Sequence, residues 1–501
     1  MKLTRRQFAQ FSALLATGWA TGSSWAQSSG KPAGAADAAR HDTLYTLIDH
    51  CLGLRYEALP ADVIAATKIQ ILDTVAVALP ARDADGIKQL YAWSKERGGK
   101  GESLVLGTHD RLPAETAARL NASMAAALEF DDTYEPSLIH ASCVNVPVAF
   151  ATADAVGRIS GKELIVAVAM GTDLACRLSR AGSPGVSPFI VGWDPTPMYG
   201  FLAAALVAGR LLGLTRDQLV GAVGLAYHQM SGNAQAAIDG THAKRFGSGF
   251  AAYGGLMSAR LAAKGAFGPI NVLDGPKGLF KQYHGGKVAR EALLDGLGTE
   301  FVGMGIAPKP YPCCRGGHVA IDGALELVEA NDIRPADVAQ VIVYSPPAEM
   351  MLLGAPLDKK QNPKTIVEAQ FSNPWMVATA IQDRDVGLRH FTPEALQRED
   401  IRALARRVAT AEDKRLVRPD GGPGFVRLEI RMRDGRVLTK EVRYAKGDPK
   451  NPMTPAEYEK KNYECAQASG MKREQAARII QRFMNLDAEP DVSDLSLALA
   501  S

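Results

Sequence analysis

From Thr43 to about Glu300, apolar residues recur at helical spacing in one segment after another. Residues 62–79 (DVIAATKIQILDTVAVAL) are apolar nearly all round, which predicts a helix inside a core, ended by Pro80. Residues 113–128, 146–156, 162–178, 198–212 and 216–230 are Ala- or Leu-rich and separated by Gly, Pro, Asp or Thr, and predict further helices. Thr215 with Asp217 and Gln218 has the pattern of a capping box. Near Glu300 the period changes. Residues 338–344 (VAQVIVY) are short, β-branched and followed by Ser-Pro-Pro, which predicts a strand. In 425–432 Val426, Leu428, Ile430 and Met432 alternate with Arg427, Glu429 and Arg431, a half-buried strand; Asp434-Gly435 then turns the chain into a second strand at 437–444. Helices are expected at 317–329 and 364–381, and the mixed-charge run 402–418 reads as a solvated helical face. Thr454, Pro455 and Glu457 start a C-terminal helical segment.

These patterns predict a mainly α protein with a smaller α+β domain. A large all-helical domain is built from both chain ends, 43–300 and 445–490, with the α+β domain, 301–444, inserted between them. A chain of 501 residues is too long for one ordinary core. Its 47% hydrophobic and 22% charged residues are those of a globular protein, and a net charge of only +3 with no basic aromatic stripe argues against nucleic acid as the partner.

The N-terminus stands apart. Arg5-Arg6, a short apolar run from Phe8 to Trp19 and Ser24-Trp25-Ala26 have the layout of an export signal of the twin-arginine type over residues 1–26. The expectation is a partner in the twin-arginine translocase and a mature periplasmic chain. That chain would have no membrane segment and a disordered lead-in over 27–42. Six cysteines show no C-x-x-C spacing, so zinc-ribbon and redox motifs are not expected, and most thiols should be buried small hydrophobes.

Three segments carry possible chemistry. Residues 128–140 (LEFDDTYEPSLIH) crowd Glu129, Asp131, Asp132 and Glu135 with Thr133 and His140 at the end of an apolar helix, where mutual repulsion raises at least one pKa and suits proton transfer. Residues 309–318 (KPYPCCRGGH) set Lys309, Arg315 and His318 around a stiff Pro-Tyr-Pro turn, suited either to a multiply charged carboxylate or to a solvated linker. Residues 239–249 (DGTHAKRFGSG) read as a loop entering a helix, with Lys244 and Arg245 beside free N–H groups that favour anions. The glycines at 247 and 249 mimic a dinucleotide fingerprint, but no strand precedes them. Metal-ligand spacings are lacking, so no metal is expected, and no G-x-S-x-G elbow supports a hydrolase triad.

Taken together, LEFDDT, AKRFGSGFAAYGGLMSARLAAKGAFGP, KPYPCCRGGH, FSNPWMVATAI and KGDPKNPMT occur in the order seen in the MmgE/PrpD family, which the chain resembles from about Leu44 to Met484. That family includes 2-methylcitrate dehydratase, cis-aconitate decarboxylase and iminodisuccinate epimerase. The resemblance implies a helical domain with an α+β lid, a homodimer, no metal or cofactor, and a small di- or tricarboxylate substrate. It assigns His140, Asp132, Thr133 and Glu129 to catalysis and Lys244 and Lys309 to substrate binding. Three positions depart from the family: Glu129 stands for an aspartate, Asp194 for a histidine after tryptophan, and Gly247 for a histidine. Arg245, Arg315 and Asp194 complete the expected binding set. The expected activity is a lyase that removes a proton next to a carboxylate, by dehydration or decarboxylation. The alternatives are an epimerase and a non-catalytic carboxylate-binding protein.

Overall fold

The computed structural model describes residues 42–183 and 191–500; the expected export signal, and its lead-in apart from Asp42, lie outside the described residues. Numbering only the longer helices, the chain runs through α1 (Thr43–Gly53), α2 (Ala61–Ala78), α3 (Ile87–Arg97), α4 (Ala114–Ala127), α5 (Ser142–Val156), α6 (Gly161–Gly182), α7 (Pro195–Leu211), α8 (Arg216–Gln229) and α9 (Ala243–Ala263). α2 is apolar all round because its second half, from Ile71 to Ala78, is wholly buried against α4, α5 and α6. Residues 61–81 have the length and composition to cross a membrane, yet the helix is a core element here. α9 packs most extensively on α7 and α4. A β-carbon at Gly255 would overlap Ala204 of α7, so only glycine lets these helices approach so closely.

Two-stranded pairs join β1 (Ser103–Leu104) to β2 (Arg111–Leu112) and β3 (Thr133–Tyr134) to β4 (Ile306–Ala307). The second region is built on a four-stranded sheet of β5 (Val338–Ser345), β6 (Val408–Glu412), β7 (Val426–Met432) and β8 (Val437–Val442), in the order β6-β5-β7-β8. β7 buries Val426, Leu428, Ile430 and Met432, as its alternation predicts. Helices α10 (His318–Asn331) and α11 (Asn373–Asp383) cover the sheet and form a second hydrophobic core with it. α12 (Pro455–Ala468) and α13 (Arg473–Met484) then return to the first core, where Ala466, Ile479 and Phe483 are buried. The Thr454 hydroxyl accepts from Glu457 N, and the Glu457 carboxylate accepts from Thr454 N, the expected capping box.

Four local readings are corrected. Residues 402–418 are not a helical face: a helix ends at Ala405 and β6 follows, parallel to β5, because Val408 is buried among the sheet's apolar residues. Residues 364–381 break at Phe371–Ser372, since Pro374 has no N–H to continue the helix, and the Ser372 hydroxyl caps α11 by accepting from Trp375 N. α5 begins at Ser142, with Pro147 in its interior, rather than at Val146. The loop expected over 239–249 is helical from Ala243 onward. All six cysteines are free thiols, and every one except Cys314 is buried.

Phe483 is wholly buried and meets Phe150 edge to face, with centroids 6.2 Å apart. Phe483→Ala is expected to lower stability by about 3–5 kcal/mol in urea unfolding. A loss below about 1 kcal/mol would remove the C-terminal helices from the core.

Candidate active site

The segment after α4 leaves the helix through Glu129, whose φ of +53° is left-handed, and bends again at Asp131 before it enters β3. Glu129, Asp131 and Thr133 line a cavity of about 630 Å³, which Phe130 and Asp132 do not line. Phe130 is fully buried beside Ala76, Val77 and Cys465. Beneath it Lys461 of α12 pairs with Asp73 at 2.6 Å and donates to the Phe130 carbonyl at 3.0 Å. Asp131, one residue before the Asp132 expected at the site, is the aspartate that lines the cavity. Burial drives the Asp132 carboxyl up to about 7, helped by Asp73 and Asp131 and opposed by Lys461.

His140 lines the same cavity. Its Nδ1 lies 2.7 Å from the Asp132 carbonyl, 3.2 Å from Thr133 Oγ1 and 3.3 Å from Asp131 Oδ2. A carbonyl only accepts, so Nδ1 carries the proton and donates to it, and Nε2 keeps its lone pair. Burial pushes the imidazole down to about 4 against the pull of Asp131, so the ring is neutral at neutral pH. Its backbone N–H donates to Thr196 Oγ1 at 3.0 Å, and Thr196 N donates to Asp194 Oδ1 at 3.0 Å. Asp194 is thereby the N-cap of α7, and that helix start steadies His140. Asp194 also lines the cavity, with its carboxyl raised by burial.

Two ammonium groups face this base. Lys309 is fully buried; it donates to the Glu129 carbonyl at 3.1 Å and to Asp131 Oδ1 at 3.4 Å, with Glu129 Oε2 at 3.8 Å. Lys244, in the first turn of α9, pairs directly with the Glu129 carboxylate. Burial disfavours the Glu129 and Asp131 charges, but the lysines, together with His140 at Asp131, hold both acids below the usual carboxylate range. Burial likewise opposes the Lys244 charge, and Glu129 and Asp131 outweigh it.

Glu129, Thr133, His140, Asp194, Lys244, Lys309 and Arg315 all line the cavity. Arg245 does not: it donates to the Asp85 carbonyl at 2.6 Å and braces the entry to α3. Arg315 is committed to the protein, donating to Glu135 Oε1 and to the Lys446 carbonyl, both at 2.6 Å. His318 is not a third cation, because burial and the neighbouring Arg315 hold it well below its ordinary pKa. Among the described residues no cluster of three or more His, Cys, Asp or Glu side chains has metal-ligand geometry. The adjacent aspartates gave no sequence signal that would select Asp131 over Asp132. Lys461, about 330 residues away in sequence, left none either.

The mainly helical region and the smaller α+β region together line one cavity that gathers lysine, carboxylate and histidine side chains. The chain belongs to the MmgE/PrpD family: residues 46–292 match its N-terminal domain and residues 311–486 its C-terminal domain. It is 29% identical over 468 residues to the cis-aconitate decarboxylase-like protein oryM of Aspergillus oryzae, covering 89% of this chain and 95% of the relative. It is 27% identical to the cis-aconitate decarboxylase of Aspergillus terreus (88% and 92% covered) and 25% identical to that of Homo sapiens (89% and 92%). The family and these relatives support a lyase family of the dehydratase/decarboxylase type.

The raised Asp132 pKa has a signed consequence. A folded value near 7 lies above the unfolded value near 3.8, so the group's contribution to stability is full below about pH 4 and is lost as pH rises through 7. Asp132→Asn is expected to gain stability relative to the parent as pH rises from about 4 to 8, by no more than about 4 kcal/mol. Equal melting-temperature differences at both pH values would show that the carboxyl is not buried as described.

Proposed function

We propose that the protein is a lyase that takes a proton from the carbon next to a carboxylate of a small di- or tricarboxylic acid, with dehydration or decarboxylation as the outcome. The observation that carries this reading is the bare Nε2 of a neutral His140 in the same cavity as the Lys244 and Lys309 ammonium groups. Lys309 and Lys244 hold the substrate carboxylate and stabilise the negative charge that spreads onto it as the proton leaves. His140 Nε2 accepts that proton, while the Asp132 carbonyl and the Asp131 carboxylate hold the ring and favour the imidazolium. In dehydration the imidazolium gives that proton to the departing hydroxide, forming water; in decarboxylation the carbon keeps the electron pair of the broken C–C bond as carbon dioxide leaves, and a His140 imidazolium charged from solvent protonates it, so that one solvent proton is consumed. Thr133 sits against the ring and fixes its plane.

The working form we propose is a homodimer in the periplasm, exported through the twin-arginine translocase. Arg5→Lys with Arg6→Lys is expected to leave the chain in the cytoplasmic fraction; unchanged export would refute the signal.

Incubation with di- and tricarboxylates in D₂O, followed by NMR, tests the chemistry. Deuterium uptake or product is expected, and His140→Ala and Asp131→Asn should each slow it by about 10²–10⁴-fold. Asp132→Asn, whose side chain lies outside the cavity, should keep close to the parent rate. Thermal shifts by the same acids, with neither exchange nor product, would make the protein a binder. The pH profile adds a second check. A base near 4 in the free enzyme puts the acid limb of kcat/KM well below pH 6. Bound carboxylates favour the imidazolium, so the acid limb of kcat should lie at higher pH. Coincident limbs near 6.5 would contradict a buried neutral His140.

A further inference from the structure

The cavity is far larger than its charged corner requires. Its 630 Å³ equals roughly 20 water molecules at ~30 Å³ each. His140, Asp131, Lys309, Glu129 and Lys244 are joined to one another by ion pairs and hydrogen bonds, and so occupy a single corner. Much of the remaining wall is apolar and converges from four segments distant in sequence: 136–138, 234–238, 346–353 and 417–424. Ile238, Met351 and Val417 are 68%, 57% and 59% exposed, although each lines this one cavity. Single exposed apolar residues need no explanation, whereas three from separate segments around one opening mark a binding surface.

Charge points the same way. Besides Lys244 and Lys309, the only lysine or arginine among the described residues of the wall is Arg315, and it is tied to Glu135. The acid of the 346–353 segment, Glu349, has its Oε1 accepting from Gly424 N at 2.7 Å. No free cation in the described wall therefore awaits a further carboxylate at the apolar end, and Glu129 already neutralises Lys244.

We propose that the apolar end of the cavity holds an aliphatic arm of the substrate: a carboxylic acid whose reacting end sits on Lys309, Lys244 and His140, and whose hydrocarbon substituent lies among Leu138, Ile238, Met351, Leu352 and Val417. This rests on the lyase reading for the orientation of the acid. It separates this protein from an enzyme for unsubstituted tricarboxylates, which would leave the apolar wall wet and need a third cation.

Calorimetric titration with saturated 2-alkylsuccinates, from methyl to octyl, tests it. These acids lack a leaving group, so binding is read independently of turnover. The dissociation constant is expected to fall by about fourfold per added methylene until the chamber is filled, then to level off. Ile238→Asp and Met351→Asp, at exposed positions that tolerate a polar side chain, should each flatten the series. A dissociation constant independent of chain length, or a slope that neither substitution changes, overturns the arm; the D₂O experiment still decides the lyase reading by itself. A steep series with no exchange on any acid would keep the chamber and remove the lyase reading.

Discussion

The buried ion cluster of Lys309 with Glu129 and Asp131 is the constraint on which the rest of the site depends. Its ammonium belongs to the loop that opens the second region, and its acceptors belong to the segment that leaves α4. An unpaired ammonium at zero exposure would be prohibitively costly, so the two regions meet at a fixed register. That register brings the cavity's two walls together. It also leaves two carboxylates facing two ammonium groups, a corner close to neutral before any substrate arrives. An incoming carboxylate therefore competes with Glu129 for Lys244, and each additional negative charge meets less compensation than the one before.

Support from beneath is equally specific. The 128–134 segment has no long strand or helix of its own to hold it. Phe130 is anchored by Lys461, whose ammonium caps the carbonyl and lies 4.3 Å from the ring centroid, while Asp73 of α2 balances the charge. The C-terminal helices thus position a cavity-lining segment more than 300 residues earlier.

Elements with strong periodicity were legible in the sequence: α2, α4, α8, β5, β7 and the capped start of α12 fall within a few residues of their predicted places. What misled was local chemistry without periodicity. Residues 402–418 carry enough charge to look solvated, but Val408 buries itself in a sheet whose other strands were the deciding context. The site was legible as a set of residues and illegible as an arrangement. His140, Thr133, Glu129, Lys244 and Lys309 do meet, yet only the folded backbone, bent at Glu129 and Asp131, decides that Asp131 lines the cavity with them and Asp132 does not. Arg245 and Arg315 are cations in the right segments that the fold uses as braces.

Glu135 shows how those braces shape the cavity. It is clasped from one side by Arg315 and from the other by Arg418, each at 2.6 Å, and Arg418 reaches Asp448 at 3.2 Å. Arg418 lies in the 413–425 loop, which brings Val417 and Gly421–Gly424 to the cavity wall. A purely apolar loop could drape over the opening in many ways, because apolar contacts are non-directional. Paired guanidinium–carboxylate contacts allow one arrangement, and the partners here are nearly buried, so salt screens them weakly. The polar residues of this loop thus fix its position, and its apolar residues are left free to meet what enters the cavity. The same division holds at the other wall, where Lys309 and Arg315 hold the loop while the 346–353 segment presents Met351 and Leu352. Charge sets the frame of this site, and hydrocarbon sets its capacity.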